Sequence, residues 1–205
     1  GSTSNLWVIG SPNKTKLNAV ASGTSAYVTK KIANYPNDTK AYLISPCYNL
    51  TTLNNPMMKF SMAYELQENF DIIYVEYSTD LINWNLLGSS TDPNWYSSNR
   101  IFESGEISND CQNCPGGQWT GSNSVLTKYS YDLSAFRSES NINFRFVFHS
   151  NESVTNEGVV IDDHEYVNIN EWFRPVIKNE KIITFVESLK DRNNEWKAVS
   201  KEYIK

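Results

Sequence analysis

The sequence predicts an all-β protein, a two-sheet antiparallel jelly-roll sandwich with a short C-terminal appendage. Three observations point there. Short apolar runs recur between clusters of turn residues, several of them alternate with a period of two, and about nine such runs joined by polar turns make a sandwich, not a parallel α/β sheet. The 205 residues suffice for one large β domain, or one domain with an appendage, and either can bury a sizeable core.

In chain order the runs are "LWVIG" (residues 6–10), "SAYVTKK" (25–31), "AYLISPCYNL" (41–50), "MMKFSMAYEL" (57–66) and "DIIYVEYS" (71–78). "WNLLGS" (84–89), "TKYSYDLS" (127–134), "INFRFVFHS" (142–150) and "GVVIDD" (158–163) follow. Alternation is cleanest in "NINFRFVFHS", where Ile142, Phe144, Phe146 and Phe148 share one face and Asn143, Arg145 and Val147 the other. In "FDIIYVEYSTD" the same rule groups Ile73, Val75 and Tyr77 opposite Ile72, Tyr74 and Glu76.

The longest irregular tract runs from Ser89 to about Ser124. Loops longer than ~12–15 residues within a compact domain are functional or anchored by their own side chains. Beyond residue 169 the pattern changes: "NEKIITFVESLK" suits a helix or a strand, and Pro175 separates it from what precedes. The chain therefore divides into a sandwich over residues 1–169 and an appendage or linker over 170–205.

Composition excludes several functions. Lys and Arg total 18 against 23 Asp and Glu, a formal charge of −5 with no basic block, which argues against nucleic acid or an anionic membrane surface. No apolar run reaches the ~18 residues a membrane span needs. The opening Gly1-Ser2 reads as a cloning remnant, so the start of the chain is silent about a signal peptide.

The three cysteines are Cys47, Cys111 and Cys114. The spacing in "CQNCPGG" suits a metal knuckle, a redox pair or a short-loop disulfide. Zinc wants four ligands, and only one further Cys and two His exist. A redox CxxC opens a helix, whereas Pro115-Gly116-Gly117 follows here. That leaves a local Cys111–Cys114 disulfide in an exported protein, or free thiols, with Cys47 as a small buried residue.

The stretch "GVVIDDHEYVN" sets Asp162 and Asp163 directly behind a buried strand, at its end. A metal, a cap on neighbouring loop backbone, or a general base would each explain them.

"LISPCYNLTTLNNPMMKF", "DIIYVEYSTDLINWNLLGSS", "NWYSS", "CPGGQWTG" and "INFRFVFHSNESVTNEGVVIDD" together resemble, in order, a MAM-like jelly-roll module of secreted multidomain proteins of flavobacteria-like bacteria. The match covers roughly residues 40 to 167, and its most specific pieces are the "YSTD…W" step and the closing "GVVIDD" strand. The resemblance implies a concanavalin A-like or galactose-binding-like sandwich serving as a noncatalytic accessory module. It also implies that the "ELQENFD" loop lies near the closing strand. Glu65 and Asp71 then become candidate ligands, with Asp162 and Asp163, for a structural Ca²⁺, which gathers six to eight oxygens from several segments. Backbone capping by the same aspartates is the competing expectation.

For a ligand, Trp95, Tyr96 and Trp119 are the aromatic candidates, because ring faces stack on the C–H side of sugars while Asn94, Asn99 and Gln118 bond hydroxyls. The opposing reading makes these rings the loop's own core. An enzyme is the rival class, built on His149 or His164 with a serine or a carboxylate, but no nucleophile elbow, HExxH, phosphate loop or dinucleotide fingerprint accompanies them. The sequence thus leads to a noncatalytic, extracellular or cell-surface module that contacts a polysaccharide or substrate for a larger secreted protein. The alternative is a scaffold supporting a neighbouring catalytic domain such as a secreted peptidase, with Trp172 and Phe173 in its contact patch.

Overall fold

A computed structural model describes residues 6–101, 113–168 and 197–200. Its strands are β1 (Val8–Gly10), β2 (Ala26–Val28), β3 (Lys40–Ile44), β4 (Pro56–Glu65), β5 (Ile72–Ser78), β6 (Asn85–Leu86), β7 (Ser122–Asp132), β8 (Asn143–His149), β9 (Gly158–Asn168) and β10 (Lys197–Ser200). They form two antiparallel five-stranded sheets, β1-β2-β9-β4-β7 and β10-β3-β8-β5-β6. Between β2 and β9 the chain passes repeatedly from one sheet to the other. That strand order is the jelly roll the sequence predicts.

All nine apolar runs hold a strand, and the register confirms the predicted faces. Ile73, Val75 and Tyr77 of β5 lie opposite Phe148, Phe146 and Phe144 of β8. These residues face the first sheet, where Phe60 of β4 meets Phe146 edge-on at 4.9 Å. Met58, Phe60 and Met62 of β4, Phe144, Phe146 and Phe148 of β8, and Val159 and Ile161 of β9 are all buried in the resulting core. The β9 strand enters the sheet through Gly158, at φ +94°, where a Cβ would lie 1.9 Å from the Thr29 hydroxyl. That hydroxyl accepts the Val159 N–H at 2.8 Å, so only glycine permits the approach.

The outer face of the first sheet is covered by the chain itself. Ala26 and Val28 of β2, Ala63 of β4 and Val160 of β9 form a second apolar cluster with Leu17, and Val20 packs against it. Residues 11 to 25 thus run as a strap across β2, β9 and β4.

Two expectations about strand limits change. The closing strand does not stop at Asp162-Asp163; β9 continues to Asn168. The register with β4 jumps from Lys59↔Glu165 to Ser61↔Asp162, which places Asp163 in a β-bulge at φ 48°. A bulge absorbs an extra residue without ending the ladder, so a polar pair marks a bend here instead of a terminus. The β7 strand begins at Ser122, ahead of "TKYSYDLS", because an edge strand with mostly solvent-facing side chains shows little apolar alternation.

Within the tail, β10 pairs antiparallel with β3, Lys197↔Ile44 through Ser200↔Ala41, and so adds an edge to the second sheet. Trp172, Phe173 and the "NEKIITFVESLK" segment lie outside the described residues.

Candidate functional site

The long tract after β6 closes one side of the sandwich. Trp119 pairs with Ile73 on the β5 edge, Gln118 pairs with Ser98 beyond it, and Pro115 pairs with Ile101. This extends the second sheet past β6 and carries three rings inward. Trp119 is fully buried, and Trp95 and Tyr96 are 4% and 6% exposed. Trp119 packs against Phe60, Trp95, Tyr96 and Tyr129, with centroids 5.8, 5.1, 4.5 and 5.1 Å away. Their polar atoms are satisfied inside: Trp119 Nε1 donates to the Trp95 carbonyl at 3.0 Å, Trp95 Nε1 to Leu87 at 3.0 Å, and Tyr96 Oη to Val75 at 3.1 Å.

These rings are therefore core and offer no stacking platform to a sugar. The physical reason is the open edge between β6 and β7, which a sandwich must close; three large rings fill it. Gln118 is likewise buried, its amide nitrogen donating to Ser98 Oγ at 3.0 Å and to the Arg100 carbonyl at 3.1 Å. Of the polar candidates, Asn94 and Asn99 stay exposed. Asn94 Nδ2 caps the Lys128 carbonyl at 2.9 Å on the outer edge of β7.

The four candidate metal carboxylates are held separately. Asp162 is fully buried, and its Oδ2 accepts the Ala21 and Ser22 N–H groups at 2.7 and 3.1 Å while Oδ1 accepts Asp163 N–H at 2.9 Å. Asp163 accepts the Ser22 hydroxyl. Glu65 sits four residues further along β4 from Ser61, the partner of Asp162, a rise of ~13 Å. It pairs there with Lys16 Nζ and the Ser122 hydroxyl, both at 2.6 Å. Asp71, opening β5 in the other sheet, accepts the Tyr35 hydroxyl and, at 2.9 Å, the Asn151 N–H. Among the described residues no three His, Cys, Asp or Glu side chains converge on one point. Asp162 and Asp71 accept main-chain N–H groups, as the capping expectation has it, whereas Asp163 and Glu65 are held by side-chain partners.

Burial raises the pKa of both Asp71 and Asp162 above the ordinary aspartate value, against the pull of the hydrogen bonds they accept. The partner of Asp71, Tyr35, is pushed up too, first by burial and then by the aspartate.

Of the enzyme candidates, His149 is half-buried at the end of β8, opposite Lys40 and Ile72 in register. The His164 side chain lies outside the described residues. Cys114 is buried and disulfide-bonded, and Cys111 lies outside the described residues. Cys47 is free and exposed, where burial was expected, because it follows β3 in the turn that leads to the Tyr48–Ile142 bridge.

Three features escaped the sequence reading. A groove of 390 Å³ on the outer face of the first sheet is lined by Lys59, Ser61, Asn94, Lys128, Ser130 and Asp163. Its strand residues alternate with core residues of β4 and β7, a signal present in the pattern. On the second sheet, Arg145 Nε and Nη2 both reach Glu76 Oε2 at 2.6 Å, and its guanidinium lies 4.0 Å from the Trp84 ring centre and 4.4 Å from that of Tyr42. Trp84 thus covers an outward-facing ion pair, and its Nε1 donates to the Leu81 carbonyl of the preceding turn at 3.2 Å. The third is a cavity of 390 Å³ at the start of the strap, lined by Asn13, Lys14, Thr15, Ile32, Asn34 and Glu157.

No family model matches the chain. It is similar to Bacillopeptidase F of Bacillus subtilis (strain 168), 27% identical over 161 residues. That stretch is 78% of this chain and 9% of the relative's length, so the chain corresponds to a small part of that protein.

Two outcomes follow from the geometry. Replacing Trp119 by Ala should destabilise the domain by about 3–5 kcal/mol in urea unfolding, on the scale for truncating a buried aromatic. A change under about 1 kcal/mol would mean that the ring is not core. The second concerns pH: a carboxyl whose folded pKa is raised stabilises the fold below its unfolded pKa, and that contribution is lost as pH rises through the folded value. Wild-type stability measured relative to Asp71→Asn should therefore increase as pH falls from neutrality toward 4, and a decrease would show that hydrogen bonding outweighs burial.

Proposed function

We propose that this chain is a noncatalytic accessory module of a larger secreted protein, and that it works by packing beside a neighbouring catalytic domain such as a peptidase. The observation that carries the reading is the similarity to a domain-sized stretch, 9% of the length, of a protein named as a peptidase. The inward placement of Trp95, Tyr96 and Trp119 supports contact with protein over stacking on sugar, because the rings that would grip a glycan are committed to the core. A disulfide at Cys114 fits an oxidising compartment outside the cytosol. Aliphatic side chains on loops, Ile32, Leu81, Ile82, Ile101 and Val154, are more than half exposed and supply apolar contact at several points of the rim.

A second reading, contact with polysaccharide, draws on the outer groove, where Asn94, Lys128 and Ser130 present amide, ammonium and hydroxyl groups to a polyhydroxylated ligand.

The chain and the catalytic domain encoded beside it in its gene should co-elute and melt together, with the catalytic domain's midpoint raised by mass action when the module is added. Affinity electrophoresis in polysaccharide gels should leave the chain's mobility unchanged. Independent melting of the two domains, with retardation that Lys128→Ala and Asn94→Ala relieve, would replace the first reading with the second.

A further inference from the structure

We propose that Lys14 is a covalent modification site, an amine set in the wall of a cavity where it takes a short acyl group from an activated acyl donor such as a thioester or an active ester. Lys14 is 8% exposed, unusual for a lysine, yet it lines a cavity of 390 Å³ that exceeds an acetyl group severalfold. Its Nζ donates to the main-chain carbonyl of Glu157. The carboxylate that would ordinarily pair with it is engaged elsewhere: Glu157 Oε2 accepts the Lys16 and Leu17 N–H groups at 3.0 and 2.8 Å, and Oε1 accepts Lys16 N–H at 3.1 Å. The ammonium is thus desolvated and hydrogen-bonded to a neutral oxygen. A neutral amine keeps that bond through one N–H and frees its lone pair for attack.

The charge balance around it agrees. Burial brings the Lys14 pKa down to about 8, with the Glu157 charge as the smaller, opposing influence. The other charged groups nearby are Lys16, already paired with Glu65 at 2.6 Å, and Lys31, whose carbonyl accepts the Asn13 N–H at 2.8 Å. Asn13, Thr15 and Asn34 add amide and hydroxyl groups to the wall and are exposed to solvent, so the donor has a polar route in. In the transfer, Nζ attacks the acyl carbon, the C–N bond forms, the bond from carbon to the departing sulfur or oxygen breaks, and the amine proton leaves with that group as a thiol or alcohol. The product is a neutral amide, which removes a cation from a buried position.

The test labels the native full chain with substoichiometric N-hydroxysuccinimidyl acetate between pH 6.5 and 9.5 and quantifies each lysine peptide by mass spectrometry. At pH 7.5 Lys14 should acetylate roughly tenfold faster than Lys16, since its larger free-amine fraction outweighs its lower intrinsic nucleophilicity. Its rate should follow a midpoint near the folded value, and the advantage should vanish in urea. Lys14→Arg identifies the labelled peptide without removing the charge. Slower labelling of Lys14 than of Lys16, or a Lys14 rate still climbing with pH at 9.5, would overturn the proposal and leave the residue as a hydrogen-bonding strut.

Discussion

The carboxylate of Asp162 is the constraint on which one half of the molecule turns. A fully buried aspartate costs free energy unless donors surround it, and here three main-chain N–H groups do so, two of them from the strap across the sheet. Those two bonds anchor one end of the strap at Ala21 and Ser22, and Glu157, just ahead of the same strand, anchors the other at Lys16 and Leu17. Between the anchors Leu17 covers Ala63, Val28 and Val160. The bulge at Asp163 belongs to the same device, since it turns the second carboxylate toward the Ser22 hydroxyl while its neighbour stays buried. Lys14 owes its burial to this arrangement, because the strap that Glu157 holds is what lays it against the sandwich.

A second buried carboxylate repeats the solution on the other sheet. Asp71 joins the loop carrying Tyr35, the start of β5 and the loop after β8 through one hydroxyl and one N–H group. Tyr35 also packs edge-on against Phe148 at 5.0 Å, so the polar tie ends in the hydrophobic core. Charge, cap and aromatic packing thereby meet at one tyrosine, and loosening it would remove the hydroxyl that the buried aspartate accepts.

The strands were legible because alternation and turn residues are local signals. The phenylalanines of "NINFRFVFHS" could face only one way, and they do. The site was less legible because burial in a loop is a nonlocal property. Trp95 and Tyr96 stand in a long polar tract, and nothing near them in sequence says that β6 and β7 leave a gap that they fill. Asp162 carried a readable alternative, since an aspartate behind an apolar strand suits a metal or a cap, and the choice lay with residues about 140 positions away. The same distance hid Lys14, whose acceptor belongs to the segment before β9. Cys47 misled because small apolar size predicts burial, whereas its place in the turn after β3 exposes it.

What the interior consumes bears on how such a domain can act. Its largest rings close an edge, its acidic residues at the strand ends tie down loops, and Arg145 is engaged with Glu76 between two aromatic faces. Among the described residues these rings, carboxylates and the guanidinium are held by their neighbours. A lysine set apart from its carboxylate beside an open cavity departs from that pattern. Its Nζ donates to a main-chain carbonyl while the Glu157 carboxylate is taken up by the strap, so among the described residues it is a buried cation held by a neutral oxygen.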